Sequence, residues 1–272
     1  MMDAVPSAKP LLSSIIVYPI KALDPLPVAE ATVATGGSLR GDREFAIVDE
    51  TGSFVNGKRN PRIHLLRSWY DSSAGQLTLQ VAGGAERRHF SLLHERGFLE
   101  DWLSEFLGLR VSVRRNSASG FPDDTEAFGP TVVSRESLTE VASWFTGLTP
   151  DDTTRRFRPN LVISGVPPFW EDRLFAEEGM VVEFRIGAVF FKGINPCARC
   201  VVPTRVPETS APYSGFQTQF MSRRKESLPP WSARSRFGHF YRLSVNTTID
   251  PLFAGTSLRI GDELVIIGTR PA

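Results

Sequence analysis

Apolar runs in this chain are short, and Gly, Pro or Asp interrupts nearly every one. That punctuation leaves little room for long helices and favours a fold built from short strands joined by tight turns. Two runs alternate with the period of a half-buried strand: Leu77, Leu79 and Val81, then Val182, Phe184 and Ile186 with Glu183 and Arg185 on the opposite face. Gly187-Ala188 separates the second run from Val189 to Phe191, a spacing that predicts a tight hairpin. The stretch Leu258 to Ile267 breaks at Gly261-Asp262 and resumes, which predicts another turned or bent pair.

Helical period occurs convincingly in two places. Leu99, Trp102, Leu103 and Phe106 make one apolar stripe over about 97–107. Leu138, Val141, Ala142 and Phe145 make a second, with Ser134 as N-cap and Gly147 as stop. The expected class is therefore α+β and strand-dominated. Residues 116–130 (NSASGFPDDTEAFGP) are rich in turn formers and predict a boundary between two units. Residues 203–233, with five prolines and the run Arg223-Arg224-Lys225, read as a mobile basic surface loop.

The chain is 272 residues long with 41% hydrophobic residues, enough for one large or two smaller packed cores, and disorder is excluded as its main state. A formal charge of +1 gives no global field for nucleic acid or an anionic membrane, so any anion site has to be local. Of the 31 basic residues 26 are Arg, whose planar fork suits phosphate and carboxylate oxygens. The run Leu11 to Ile20 is too short to span a bilayer. Two serines, Pro19 and the following Lys21 and Asp24 make it a poor signal core, so it reads as a first strand and the protein as cytoplasmic.

No Gly-rich phosphate loop appears, and the histidines His64, His89, His94 and His239 form no two-histidine zinc motif. The two cysteines stand together in Asn195-Pro-Cys-Ala-Arg-Cys200, in a loop after a predicted strand. A neighbouring guanidinium favours thiolate, the form that attacks electrophiles and binds soft metals. From spacing alone, two buried structural cysteines are an equal alternative; a redox dithiol lacks its usual βαβ setting, and zinc would need two further ligands. A second cluster, Arg155-Arg-Phe-Arg-Pro-Asn160, runs into the apolar segment LVIS and could present guanidiniums and an amide to an anion. The alternative is a solvated basic turn.

In order, the segments Tyr18-Pro-Ile-Lys21, Gly41-Asp-Arg43-Glu-Phe, Asn60-Pro-Arg62, Arg156-Phe-Arg158-Pro-Asn160, Pro196-Cys-Ala-Arg-Cys200-Val-Val-Pro-Thr204 and Ile260-Gly-Asp262 closely resemble the MOSC-domain proteins. The resemblance covers roughly residues 11–268. It extends to the N-terminal β-barrel-like domain that accompanies MOSC in the mitochondrial amidoxime-reducing component and its bacterial relatives. It implies a tail at 1–10, an N-terminal β-barrel domain at 11–125 and a MOSC β-barrel with a few helices at 126–268, packed on one another.

The same resemblance implies a molybdenum cofactor, a pyranopterin with one protein thiolate on the metal. The ligand position corresponds to Cys200, which would be the metal ligand and catalytic residue, with Cys197 a neighbour. Lys21, Arg43, Arg158 and Asn160 match cofactor-contact positions, Arg199 adjoins the ligand, and Thr131 falls in a loosely matching segment. The implied reaction is reduction of N-hydroxylated small molecules with electrons from a separate flavin, haem or iron–sulfur protein. Two cysteines are too few for an iron–sulfur domain within this chain. The alternative is a cofactor carrier or sulfur-transfer module like the C-terminal part of molybdenum cofactor sulfurases, in which Cys197 and Cys200 act as a pair. Pyridoxal phosphate, used by another domain of those sulfurases, is not expected to bind here. Ala22 departs from the family pattern, where a serine often follows the lysine.

Overall fold

The computed structural model describes residues 9–272, so most of the expected tail at 1–10 lies outside the described residues. The first part of the chain forms β1 (Leu11–Val17), β2 (Leu26–Val28), β3 (Glu30–Thr32), β4 (Phe45–Asp49), β5 (Leu66–Asp71), β6 (Gln76–Val81), β7 (Arg87–Ser91), α1 (Arg96–Leu107) and β8 (Val111–Arg115). The remainder forms β9 (Val132–Ser134), α2 (Arg135–Ser143), α3 (Pro150–Phe157), β10 (Leu161–Ser164), β11 (Met180–Ile186), β12 (Val189–Ala198), α4 (Phe216–Glu226), β13 (Arg242–Ile249), β14 (Ser257–Arg259) and β15 (Leu264–Pro271). The fold is strand-dominated, as the punctuation predicts.

Eight strands make the main sheet, in the order β15-β11-β12-β13-β9-β10-β1-β2. It curls until its β15 end meets β1. Leu12 N–H donates to Asp262 O at 2.8 Å, Gly261 N–H to Leu12 O at 2.7 Å, and Leu264 N–H to Pro10 O at 2.8 Å. Closure turns the sheet into a barrel whose interior holds Leu12, Ile15, Leu174, Phe184, Val245 and Leu258, all fully buried. Phe184 and Phe191 stack across the β11–β12 hairpin at 5.1 Å. Gly193 of β12 is needed there, because a Cβ would lie 1.6 Å from the Leu174 carbonyl oxygen.

A second core joins β4–β8, β5–β6–β7 and α1, with Leu99 and Leu103 of the predicted stripe, and Leu107 beside them, buried, and Trp102 and Phe106 partly buried against it. A third, aromatic layer lies between the barrel wall and α2, α3 and α4. There Phe145 and Phe216 stack at 4.3 Å, and Phe220 meets Trp144, Phe157 and Tyr241.

Several local expectations need correction. The second helix begins at the predicted Ser134 cap but stops at Ser143, ahead of Gly147, and Trp144 turns into the aromatic layer. Two further helices occur. α3 starts in a capping box between Thr149 and Asp152, with Pro150 in its first turn, and ends where Arg158 adopts φ 51°. The segment read as a mobile basic loop contains α4, whose Arg224 is 1% exposed and donates to Asp172 at 2.5 Å. β14 and β15 flank the Gly261-Asp262 turn but do not pair; β14 joins β3 and β15 joins β11. The strand before the cysteines also runs further than expected, placing Cys197 within β12 and only Arg199 and Cys200 beyond it.

Candidate functional site

The ends of β1 and β12 and the starts of β4, β9 and β10 face a single cavity of about 690 Å³. All seven residues singled out in the sequence, Lys21, Arg43, Thr131, Arg158, Asn160, Arg199 and Cys200, line it, and so does Cys197. Eleven Lys or Arg side chains and five acidic ones make up its charged wall. A chain of almost zero net charge thus concentrates positive charge in one place, as a local anion site requires.

The seven residues do different work. Lys21 is buried, and its Nζ donates to Phe121 O at 2.9 Å, Pro122 O at 3.2 Å and Asp123 Oδ1 at 2.7 Å, so all three hydrogens hold the 121–123 segment. Burial pushes the lysine pKa below its ordinary value, against the raising effect of Asp123. The Asp123 carboxylate, open to the cavity but enclosed by protein, shows the reverse balance. Burial would raise it, yet Lys21 and Arg43 hold it well below the usual carboxylate range.

Asn160 is a clamp. Its Nδ2 donates to Ile16 O at 3.1 Å, while its Oδ1 accepts from Arg43 Nη1 at 3.3 Å and from Thr131 N–H at 3.3 Å. Thr131 Oγ1 in turn accepts from Asn160 N–H at 3.2 Å. Arg43 also pairs with Asp42, whose other oxygen accepts from Tyr18 N–H at 2.8 Å.

Arg158 stands apart. Its guanidinium lies 4.0 Å from the centroid of the Tyr18 ring, and among the described residues it has no hydrogen bond or ion pair. Burial, eased by Tyr18, lowers its pKa. The Tyr18 hydroxyl donates to Pro159 O at 3.1 Å, and burial, only partly offset by Arg158 and Arg43, pushes its pKa up to about 12. Tyr18 is therefore a neutral platform with Arg158 on one face, and Arg158 offers its donors to the cavity.

Both thiols are free and half-exposed. Arg199 Nη1 donates to Cys197 Sγ at 3.0 Å and its Nη2 to Phe157 O, so the motif's arginine attends the first cysteine. Among the described residues Cys200 Sγ accepts only from Val202 N–H, at 3.5 Å. Among the described residues no group of three or more His, Cys, Asp or Glu side chains is arranged to hold a metal ion. A metal at Cys200 would therefore draw its other ligands from a cofactor. The free donors of Arg158, the accessible Cys200 thiol and a cavity of this size fit an anionic, thiol-ligated group of that kind.

Sequence reasoning missed other residues of this wall. His64, Arg67, Arg205, Arg236 and Arg242 each stand alone in the sequence, outside any motif with a chemical signature, and converge only in space. Backbone strain marks the same region. Ala22, Arg43 and Arg158 are three of the six described non-glycine residues with left-handed φ, at 73°, 50° and 51°.

Fold and cavity together define a class: a strand-built protein with a deep cationic cavity and thiols in its wall. The pattern of the MOSC N-terminal beta barrel domain matches residues 9–150, and that of the MOSC domain matches residues 128–265. The chain belongs to the MOSC-domain proteins. It is similar to a molybdenum cofactor sulfurase of Drosophila mojavensis, 26% identical over 95% of this chain and 35% of that protein. It is also similar to one of Oryza sativa subsp. japonica, 27% identical over 70% of this chain and 27% of that protein. The chain thus spans only about a third of the sulfurases it matches. The mitochondrial amidoxime-reducing component 1 of Homo sapiens is 24% identical over 93% of this chain and 81% of that protein. Among the described residues no helix is long and apolar enough to cross a membrane.

Proposed function

We propose that this chain is a cytoplasmic molybdenum-cofactor-binding oxidoreductase that reduces N-hydroxylated small molecules with electrons delivered by a separate protein. The observation that carries this reading is the pairing of an accessible Cys200 thiol with the unpartnered Arg158 guanidinium in one cationic cavity. A named reductase relative also matches nearly end to end, whereas the sulfurases match over a minor part of their length. Cys200 would hold the metal, and Arg158 with Arg43 would hold the anionic end of the cofactor. Lys21, Asn160 and Thr131 would keep the walls in register through the bonds described above. When bound, the cofactor supplies a metal centre able to exchange an oxygen atom and two electrons.

The decisive experiment is metal and pterin analysis of protein made in a cell that synthesises the cofactor, with hydroxylamine reduction measured using an artificial donor. Wild type should carry near-stoichiometric molybdenum and be active. Cys200→Ala should lose both, and Cys197→Ala should keep most of each. Equal behaviour of the two variants would overturn the assignment of roles.

A second reading rests on Cys197. Its contact with Arg199 at 3.0 Å and its closeness to Arg242, whose pKa burial lowers and Cys197 raises, provide a cationic seat for a sulfur anion. Pterin that stays bound in Cys200→Ala, with no reductase activity in wild type, would favour a carrier or sulfur-handling role.

A further inference from the structure

One corner of the cavity is built from residues that none of the matched motifs contains. Arg67 of β5 ties it together. Its Nη2 donates to the carbonyl oxygen of His64 and to that of Pro207 at 3.1 Å, and its Nη1 to Asp24 at 3.2 Å. Pro207 belongs to a small loop closed by the Arg205–Pro212 bridge, so the clasp brings Arg205 to the side of the cavity occupied by His64. The Arg205 guanidinium makes one hydrogen bond, Nη1 to Ser210 O at 3.3 Å, and no ion pair among the described residues. Arg158 has neither.

This corner is short of acceptors. The Nε–H groups of Arg67 and Arg205 are buried without a partner among the described residues, and so is His64 Nε2. His64 packs so closely on Gly57 that a Cβ there would lie 2.3 Å from Nε2. The carboxylates nearby are already engaged, Asp24 by Arg67 and Glu208 by Arg155. The field felt by His64 agrees: burial first, then Arg158, Arg205 and Arg67, push its pKa down to about 4, with no carboxylate opposing them.

We propose that His64, Arg67 and Arg205, beside Arg158, form a subsite for a phosphoryl dianion carried by the small molecule that fills the cavity. Arg205 and Arg158 have no carboxylate partner among the described residues, and two such guanidiniums match a phosphate better than a singly charged carboxylate. The inference deepens the reductase reading, on which it rests for chemistry, by making the substrate a phosphorylated N-hydroxylated compound such as a nucleotide. Phosphate recognition itself does not depend on that reading.

The test begins with calorimetric titration of inorganic phosphate and of pyrophosphate into the purified full chain at fixed ionic strength. Wild type should bind, Arg205→Gln should bind about tenfold more weakly or worse, and Arg205→Lys should recover part of the loss. Arg223→Gln, on the exposed face of α4, should match wild type. Circular dichroism establishes that each variant is folded. Kinetics then separate the source of the phosphate. A KM at least tenfold lower for an N-hydroxylated nucleoside monophosphate than for its nucleoside, lost in Arg205→Gln at unchanged pterin content, places the phosphate on the substrate. Loss of pterin in Arg205→Gln places it on the cofactor and overturns the substrate assignment. Absence of phosphate binding by wild type, or equal binding by Arg205→Gln, overturns the subsite. Absence of turnover with either compound, with phosphate binding intact, counts against the reductase reading alone.

Discussion

Arg158 and Arg224 come from similar basic runs and lie on similar platforms, yet they have opposite surroundings. Each guanidinium covers an aromatic ring at close range, Arg158 over Tyr18 at 4.0 Å and Arg224 over Phe169 at 4.1 Å. Arg224 is sealed among α4, Phe169 and Phe237 and donates to Asp172, which also accepts from Ser232 at 2.5 Å. Arg158 has no carboxylate partner among the described residues and opens into the cavity. Stacking alone therefore says little about the role of an arginine. The counter-charge decides: where the protein supplies it the residue holds the fold together, and where it does not, a ligand is invited to.

The comparison breaks most visibly on stability. Arg224→Ala leaves Asp172 buried without its partner, and denaturant melts should show a loss of about 3–5 kcal/mol. Arg158→Gln should cost about 1 kcal/mol or less, the stacking contribution, while abolishing cofactor retention. Similar losses in the two variants would mean that Arg158 is structural after all.

The next effect is a pH dependence beside Arg224. Burial and the adjacent Asp172 push the pKa of Glu171 up to about 7 from its ordinary 4.5, against the lowering hydrogen bond from Ser137. The folded state then holds this proton more tightly than the unfolded chain. Stability should accordingly fall by about 3 kcal/mol in all as pH rises from near 4.5 through 7. Urea melts at pH 5, 6, 7 and 8 should show that slope, and Glu171→Gln should flatten it. The smallest effect is expected at the half-exposed pair of Arg155 and Glu208, where Glu208→Gln should change stability by less than about 1 kcal/mol. A larger change would show that the loop bearing Arg205 contributes to the global fold.

The same arginines show how much of the molecule was legible in its sequence. α1 and α2 could be read because their apolar residues keep the helical period unbroken. α4 could not, because the inward stripe of Phe216 and Phe220 is completed by Arg224, whose charge interrupts the hydropathy pattern at a position buried like the two phenylalanines. α3 has few apolar residues, but its start was written in Thr149, Pro150 and Asp152, a capping signal that a search for apolar stripes passes over. At the cavity, residues held in ordered motifs were found and are brought together. His64, Arg67 and Arg205 had no such context, and the clasp through Pro207 is what brings Arg205 to the other two.

Three residues of the cavity wall, Ala22, Arg43 and Arg158, hold a backbone conformation that glycine would adopt without strain. Ala22→Gly should relieve about 1 kcal/mol of steric conflict. A breeding scheme rewarding heat resistance alone would be drawn to this wall, and each gain there would soften the rigid frame that aims the arginines. The wall is thus where selection for durability and selection for recognition pull this sequence in opposite directions.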